Sequence, residues 1–239
     1  MNYAKNRCAE HYRRVASKAS QTMNILAVDA SSSTLSAALQ IEGCVYYFEA
    51  SDGNRRSEPL LNVVDAIINT SGAQKSMVDV FACAQGPGSF TGLRIGFSCV
   101  KALSFALGKK YVCVPVLDAA ALAQSDFNGL CAPVLEGGKN RFFSRFYKNG
   151  RPESEILDLD VEGLISRLPQ NKNILFTGNA ERTVFNAVKE ASGAKLDISN
   201  IFHTKSGGAK DLLNFINKKD TIFGGCDDFA APLYLRSAL

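Results

Sequence analysis

Apolar positions fall first in short runs of strand length, at 24–29, 35–41 and 44–50. A polar turn, Asp29-Ala30-Ser31-Ser32-Ser33-Thr34, separates the first two, and Glu42-Gly43 between the others predicts a hairpin. The period then changes from two to about 3.6. Ser57 is placed to cap a helix over 57–71, with Glu58 and Pro59 in its first turn and Gly72 closing it. Leu60, Val63, Val64 and Ile67 line one face of that helix, with Leu61 and Ile68 beside it. A strand at 80–85 leads through a glycine-rich turn into a second helix ending at Leu107 and Gly108, and a strand follows at 111–116.

The first half thus reads β-β-β-α-β-α-β, three antiparallel strands followed by α/β crossovers, the order of a ribonuclease-H-like layer. The second half repeats that order more faintly. Strands are expected at 131–136, 141–147, 154–159 and 173–177, with a short extended piece at 200–203. Helices are expected at 161–168, 180–192 and 209–217. The fold class is therefore α/β with two ribonuclease-H-like lobes, the arrangement of actin-like ATPases. The expected division is a basic extension at 1–22, a first lobe at 23–120, a smaller second lobe at 121–225, and a segment at 226–239 returning to the first lobe.

The stretch Gln85-Gly86-Pro87-Gly88-Ser89-Phe90-Thr91-Gly92-Leu93-Arg94-Ile95-Gly96 stands at the strand-to-helix junction. Glycine allows close backbone approach, proline fixes its own φ, and Ser89 or Thr91 can accept from amides of the first helical turn. Such a turn suits an anion. Yet Gly92 is followed by Leu93-Arg94 where a Walker loop needs Lys-Ser/Thr, and Thr91 stands where a dinucleotide fingerprint needs its third glycine. The helix beyond carries two apolar stripes, Leu93, Phe97, Val100, Leu103, Leu107 and Ile95, Cys99, Ala102, Phe105, Ala106. Only Arg94, Ser98 and Lys101 form a polar strip, so the helix must be covered on more than one side. Either a neighbouring helix of the same chain or a partner protein supplies the second cover.

The segment from Gly86 to Gly96 closely resembles the signature of the TsaB (YeaZ) family, bacterial subunits needed to make threonylcarbamoyladenosine in tRNA. Ile25-Leu26-Ala27-Val28-Asp29-Ala30-Ser31 resembles that family's opening strand and turn, and Pro232-Leu233-Tyr234-Leu235-Arg236 its C-terminal Pro-x-Tyr-Leu-Arg. These segments bracket residues 23 to 236. The resemblance implies the two-lobed actin-like fold, a heterodimer with the catalytic relative TsaD, cooperation with the ATPase TsaE, and a cytoplasmic setting. It implies that Leu60, Leu61, Val64, Ile68, Phe90, Leu93, Arg94, Phe97, Val100 and Lys101 form the partner interface, and that two copies pair through the same helices when TsaD is absent. Contact with tRNA would be indirect, through the complex.

Composition adds limits. Apolar content is 46% and charge 21%, ordinary for a globular protein, and no apolar run approaches the ~20 residues of a membrane span. Seven scattered cysteines without a Cys-x-x-Cys pair read as buried thiols in a reducing compartment. His11 and His203 are too few and too isolated for a histidine-based metal site. The net charge of +4 resides in residues 1–22, where Lys5, Arg7, Arg13, Arg14 and Lys18 face only Glu10; the remainder is neutral and carries no basic cluster of the kind that binds phosphates. Residues 1–22 read as a product of an upstream start codon or a loose tail, as a targeting peptide, or as a basic arm touching tRNA.

In actin-like proteins the first turn wraps nucleotide phosphates. Here that turn offers Asp29, Ser31, Ser32, Ser33 and Thr34, which equally well satisfy their own turn amides. No cofactor is required; weak ATP or ADP binding, with magnesium arriving only with the nucleotide, is the most this turn supports. The second turn expected of a kinase, Leu135-Glu136-Gly137-Gly138, lacks a hydroxyl or Asp, where TsaB relatives show Asp-Ala-Arg. Arg56 stands where they commonly show His. No catalytic residue and no metal ligand is therefore assigned. The glycine loop Gly86, Gly88, Ser89, Thr91, Gly92 suits an anion, but its spacing does not support a phosphate-loop reading. The expected function is a non-catalytic scaffold subunit of the tRNA position-37 modification complex; a stand-alone small-molecule kinase or ATPase is the alternative.

Overall fold

A computed structural model describes residues 23–50, 60–169, 172–191, 200–218, 232–233 and 235. The basic extension, the Ser57 cap, Arg56, Cys8, Cys226 and most of 226–239 lie outside the described residues.

Strands β1 (Ile25–Asp29), β2 (Leu35–Ile41) and β3 (Cys44–Ala50) run antiparallel in sequence, and Glu42 and Gly43 both take positive φ, 48° and 78°, in the tight turn their spacing predicted. Strands β4 (Val80–Gly86) and β5 (Lys110–Pro115) join parallel to β1, giving the order β3-β2-β1-β4-β5. Helix α1 (Leu60–Ser71) precedes β4, and α2 (Phe90–Leu107) lies between β4 and β5. Ser89 caps α2 by accepting from the Gly92 amide at 3.3 Å, and Gly108 closes it in the left-handed conformation.

The second sheet has the corresponding order, β10-β7-β6-β11-β12. Its members are β6 (Leu130–Glu136), β7 (Phe142–Ser144), β10 (Leu157–Leu159), β11 (Ile174–Thr177) and β12 (Ile201–His203), with a two-residue ribbon β8 (Tyr147–Lys148) and β9 (Arg151–Pro152) alongside β6. Helices α4 (Val161–Ile165) and α5 (Glu181–Ala191) cover it. The chain is thus α/β in two ribonuclease-H-like layers. The expected strand over 141–147 is broken at 145–146 into β7 and β8, which pair with opposite ends of β6, and Asn149-Gly150, both at positive φ, then turns the chain into the ribbon. The expected strand over 154–159 shrinks to its last three residues. Between the sheets stands α3 (Val116–Leu122), which the sequence reading passed over.

The pleat divides the first sheet into two faces with different helices. Leu26, Val28, Leu39 and Phe81 point to the α1 and α2 side. Ala27, Ala38, Ala82 and Ala84 point to the other, where α6 (Ala209–Lys218) packs Ala209, Leu212, Leu213 and Ile216. Alanines on a sheet let a helix approach closely, and each buried leucine is worth roughly 1.5–3 kcal/mol. Helix α6 follows the second sheet in sequence yet completes the first, so the chain crosses back at 209–218 rather than only beyond 226. The Gln40 and Asn217 amides fix the crossing with a hydrogen bond from Asn217 Nδ2 to Gln40 Oε1 of 2.8 Å.

Candidate functional site

Asp29 ends β1 in the middle of the first sheet and is buried. Its carboxylate accepts from the Ser31 amide at 2.8 Å and also from the backbone of Gly208, which comes from the loop ahead of α6. Burial pushes the carboxyl above its ordinary range, against the pull of those hydrogen bonds. Ser32 and Thr34 are similarly occupied. Ser32 Oγ accepts from the Thr34 amide at 3.1 Å and donates to the Thr34 carbonyl at 3.2 Å, while Ser33 is exposed. The turn is therefore closed on itself.

Across from Asp29 lies a second carboxyl that the sequence reading missed. Asp211, in the first turn of α6, accepts from the Gly207 amide at 2.6 Å. Burial, with a contribution from the charge of Asp29, raises it to about 6. Gly207 and Gly208 both have positive φ, and a Cβ on Gly208 would stand 2.8 Å from Ser36 Oγ. Ser36 Oγ in turn accepts from the Ala209 amide at 2.9 Å. The visible signal was the glycine pair directly before a helical run. At the rim, Lys205 Nζ meets Glu49 Oε1 at 3.0 Å and Tyr47 donates to Glu49 Oε2 at 2.8 Å. The Tyr47 and Lys205 hydrogen bonds hold Glu49 below the usual carboxylate range, and burial together with Glu49 raises the Tyr47 phenol.

The turn expected to serve as a second phosphate loop is a hairpin tip. The Glu136 amide donates to Asn179 Oδ1 at 3.0 Å and the Gly137 amide to the Arg141 carbonyl at 2.8 Å. Those two amides are committed within the chain.

The glycine loop is packed rather than open. The Ser89 amide donates to the Ser31 carbonyl at 2.6 Å. A Cβ on Gly88 would stand 2.8 Å from Ser31 Cβ, and one on Gly92 would stand 2.9 Å from the Ala30 carbonyl carbon and inside its oxygen. Behind the loop, the Leu233 amide donates to the Gln85 carbonyl at 2.7 Å, and a Cβ on Gly86 would come 2.9 Å from the Leu233 oxygen. The three quoted sequence segments, distant along the chain, meet here. Glycine is needed because two backbones share the space.

Helix α2 is eighteen residues long, apolar, and buried only at Leu93, Gly96, Val100 and Ser104. Phe97 stacks edge-on against Tyr111 at 6.0 Å. The outer face carries Ile95, 48% exposed, and Phe105, 90% exposed, together with Arg94, Lys101 and Ala102. Arg94 lies over the Phe90 ring, 3.7 Å from its centroid. On α1, Leu61 is 48% exposed. The ten expected interface residues thus split. Leu60, Val64, Ile68, Leu93 and Val100 belong to the lobe's own core, a correction whose cause is that their stripe is the one facing the sheet. Leu61, Phe90, Arg94, Phe97 and Lys101 remain exposed or half-exposed, and Ile95 and Phe105, left out of the expectation, are the largest apolar groups beside them.

His203 lies on β12, not on a helix, with its ring 4.3 Å from that of Phe185 and Nδ1 3.8 Å from Glu181 Oε1. Among the described residues, no three His, Cys, Asp or Glu side chains converge as metal ligands.

A profile of the family described as TsaD, tRNA N6-adenosine threonylcarbamoyltransferase, matches residues 53–201. A Bacillus subtilis protein named tRNA threonylcarbamoyladenosine biosynthesis protein TsaB is 28% identical over 180 residues, 72% of this chain and 78% of that one. A Haemophilus influenzae protein of the same name is 32% identical over 107 residues, 45% of this chain and 44% of its own length. The solved structure of YeaZ from Pseudomonas aeruginosa superposes with a TM-score of 0.66 at 26% identity, covering 90% of this chain and all of that one.

Proposed function

Because this chain belongs to the TsaD-type tRNA N6-adenosine threonylcarbamoyltransferase family, in its TsaB (YeaZ) branch, we propose that it is a non-catalytic scaffold subunit in the biosynthesis of tRNA threonylcarbamoyladenosine. It binds the catalytic subunit TsaD through the outer faces of α1 and α2 and holds it in an active arrangement, with TsaE. In isolation two copies pair through the same faces.

One observation carries this reading: the most apolar long helix of the chain leaves Ile95 and Phe105 in solvent. Exposed apolar patches mark association sites, and a stable interface covers roughly 800 Å² per partner. By length and composition α2 is the one helix among the described residues that could cross a membrane. Its inner face, however, is packed on the first sheet through Leu93 and Val100, which favours a protein partner.

The surroundings of Asp29 and Asp211 support a structural role. Asp29 accepts from the Ser31 and Gly208 backbone and Asp211 from the Gly207 amide, and the amides of Glu136 and Gly137 are engaged. A stand-alone kinase or ATPase would need such amides free for phosphate and a carboxylate free for the accompanying metal. Reconstitution tests the proposal. Threonylcarbamoyl transfer to tRNA by TsaD with TsaE is expected to require this chain, whereas the chain alone is expected to turn over neither ATP nor tRNA. Transfer at full rate without it, or turnover by the chain alone, would overturn the proposal.

A further inference from the structure

The docking face on α2 and the N-terminus of α6 share a backbone junction, and its consequence goes beyond the scaffold reading, on which it rests for the identity of the partner. Beginning at α6, the Gly208 backbone hydrogen-bonds Asp29, and the same carboxylate accepts from the Ser31 amide. The Ser31 carbonyl then accepts from the Ser89 amide, and Ser89 caps α2. Ala30 and Ser31 also press directly on Gly92 and Gly88, leaving no room for even a methyl group. The neighbours at those contacts are backbone atoms, which cannot rotate aside as a side-chain tip can.

We propose that α2 and the N-terminus of α6 are mechanically linked through Asp29, Ser31 and the glycine loop, so that a partner docking on α2 steadies the glycine pair and first turn at 207–211. The reverse follows from thermodynamic reciprocity: whatever steadies 207–211 through this junction strengthens docking by the same factor. Helix α6 packs on the opposite face of the first sheet from α1 and α2. A partner seated on the outer faces of those helices therefore does not itself shield 207–211.

Amide hydrogen exchange on the full wild-type chain, alone and with TsaD of the same organism, tests this. The Gly207 and Ala209 amides report on that turn, being bonded to Asp211 Oδ2 and Ser36 Oγ. The expected result is slowing by about threefold or more at 207–211 as well as on α1 and α2. Slowing confined to α1, α2 and the loop at 86–89 would overturn the linkage while leaving docking intact. If no complex forms, the docking reading fails, and Asp29→Asn in the chain alone tests the linkage. Asparagine offers one carbonyl oxygen for two amides, so exchange at 93–97 is expected to quicken about threefold with α1 unchanged; unaltered exchange at 93–97 would overturn it.

Discussion

Gly92 in the first turn of α2 lies against the carbonyl of Ala30 so closely that any side chain at 92 would occupy the carbonyl's place. The relationship explains why the segment carries glycine where a phosphate loop would need a different spacing. The space that a ligand would fill is taken by the chain's own first turn.

Two glycines four residues apart on the same helix should therefore behave oppositely. Gly92→Ala forces backbone apart and is expected to cost about 2 kcal/mol or more, even after the gain in helix propensity. Gly96→Ala meets nothing within 4 Å and is expected to stabilise by roughly 0.5–1 kcal/mol. Urea unfolding of both variants checks the contrast; equal effects would contradict the packing described.

Asp211 sets a pH dependence. Its carboxyl is raised by burial to about 6 from an ordinary 3.8, so the folded chain binds a proton more tightly than the unfolded one. The associated stability is full below about pH 4, declines as pH rises, and is gone above about pH 6. Asp29 shifts in the same direction, also through burial. Asp211→Asn retains an oxygen for the Gly207 amide and removes the charge. It is expected to flatten stability between pH 4 and 6, and to raise it above pH 6 by an amount on the order of 2 kcal/mol. Denaturation at pH 5 and 7.5 measures this.

The rim ion pair is expected to matter far less. Lys205 is largely exposed where it meets Glu49, so Lys205→Ala should change stability by less than about 0.5 kcal/mol. Tyr147→Phe, by contrast, removes the hydroxyl that donates to Asp118 at the buried junction of the lobes. A loss of about 1–2 kcal/mol is expected there, and thermal unfolding of the two variants should rank them in that order.

Much of this was legible along the chain. The hairpin at Glu42-Gly43, the cap at Ser89 and the stop at Gly108 are local chemistry, and local chemistry can be read from neighbours in sequence. The two stripes of α2 were visible too, but periodicity does not say which stripe meets the sheet. The sheet took Leu93 and Val100 and left Ile95 and Phe105 outside. The return of α6 to the first lobe depends on a pairing across 173 residues, Ser36 with Ala209. Its trace in the sequence is the row of alanines at 27, 38, 82 and 84, too common a residue to single out beforehand. Asp211 escaped for the same reason, since only the folded chain brings it near Asp29.

The most direct measurement is the sedimentation velocity of the chain mixed with TsaD, for the wild type and for Ile95→Glu and Phe105→Glu. Both positions are surface positions, so the variants should remain folded, unlike a charge placed at the buried Leu93. The wild type is expected to form a heterodimer, and each variant to weaken it at least tenfold, since a charge buried in an apolar interface must shed its water. A heterodimer of undiminished affinity with both residues replaced together would contradict docking through α2.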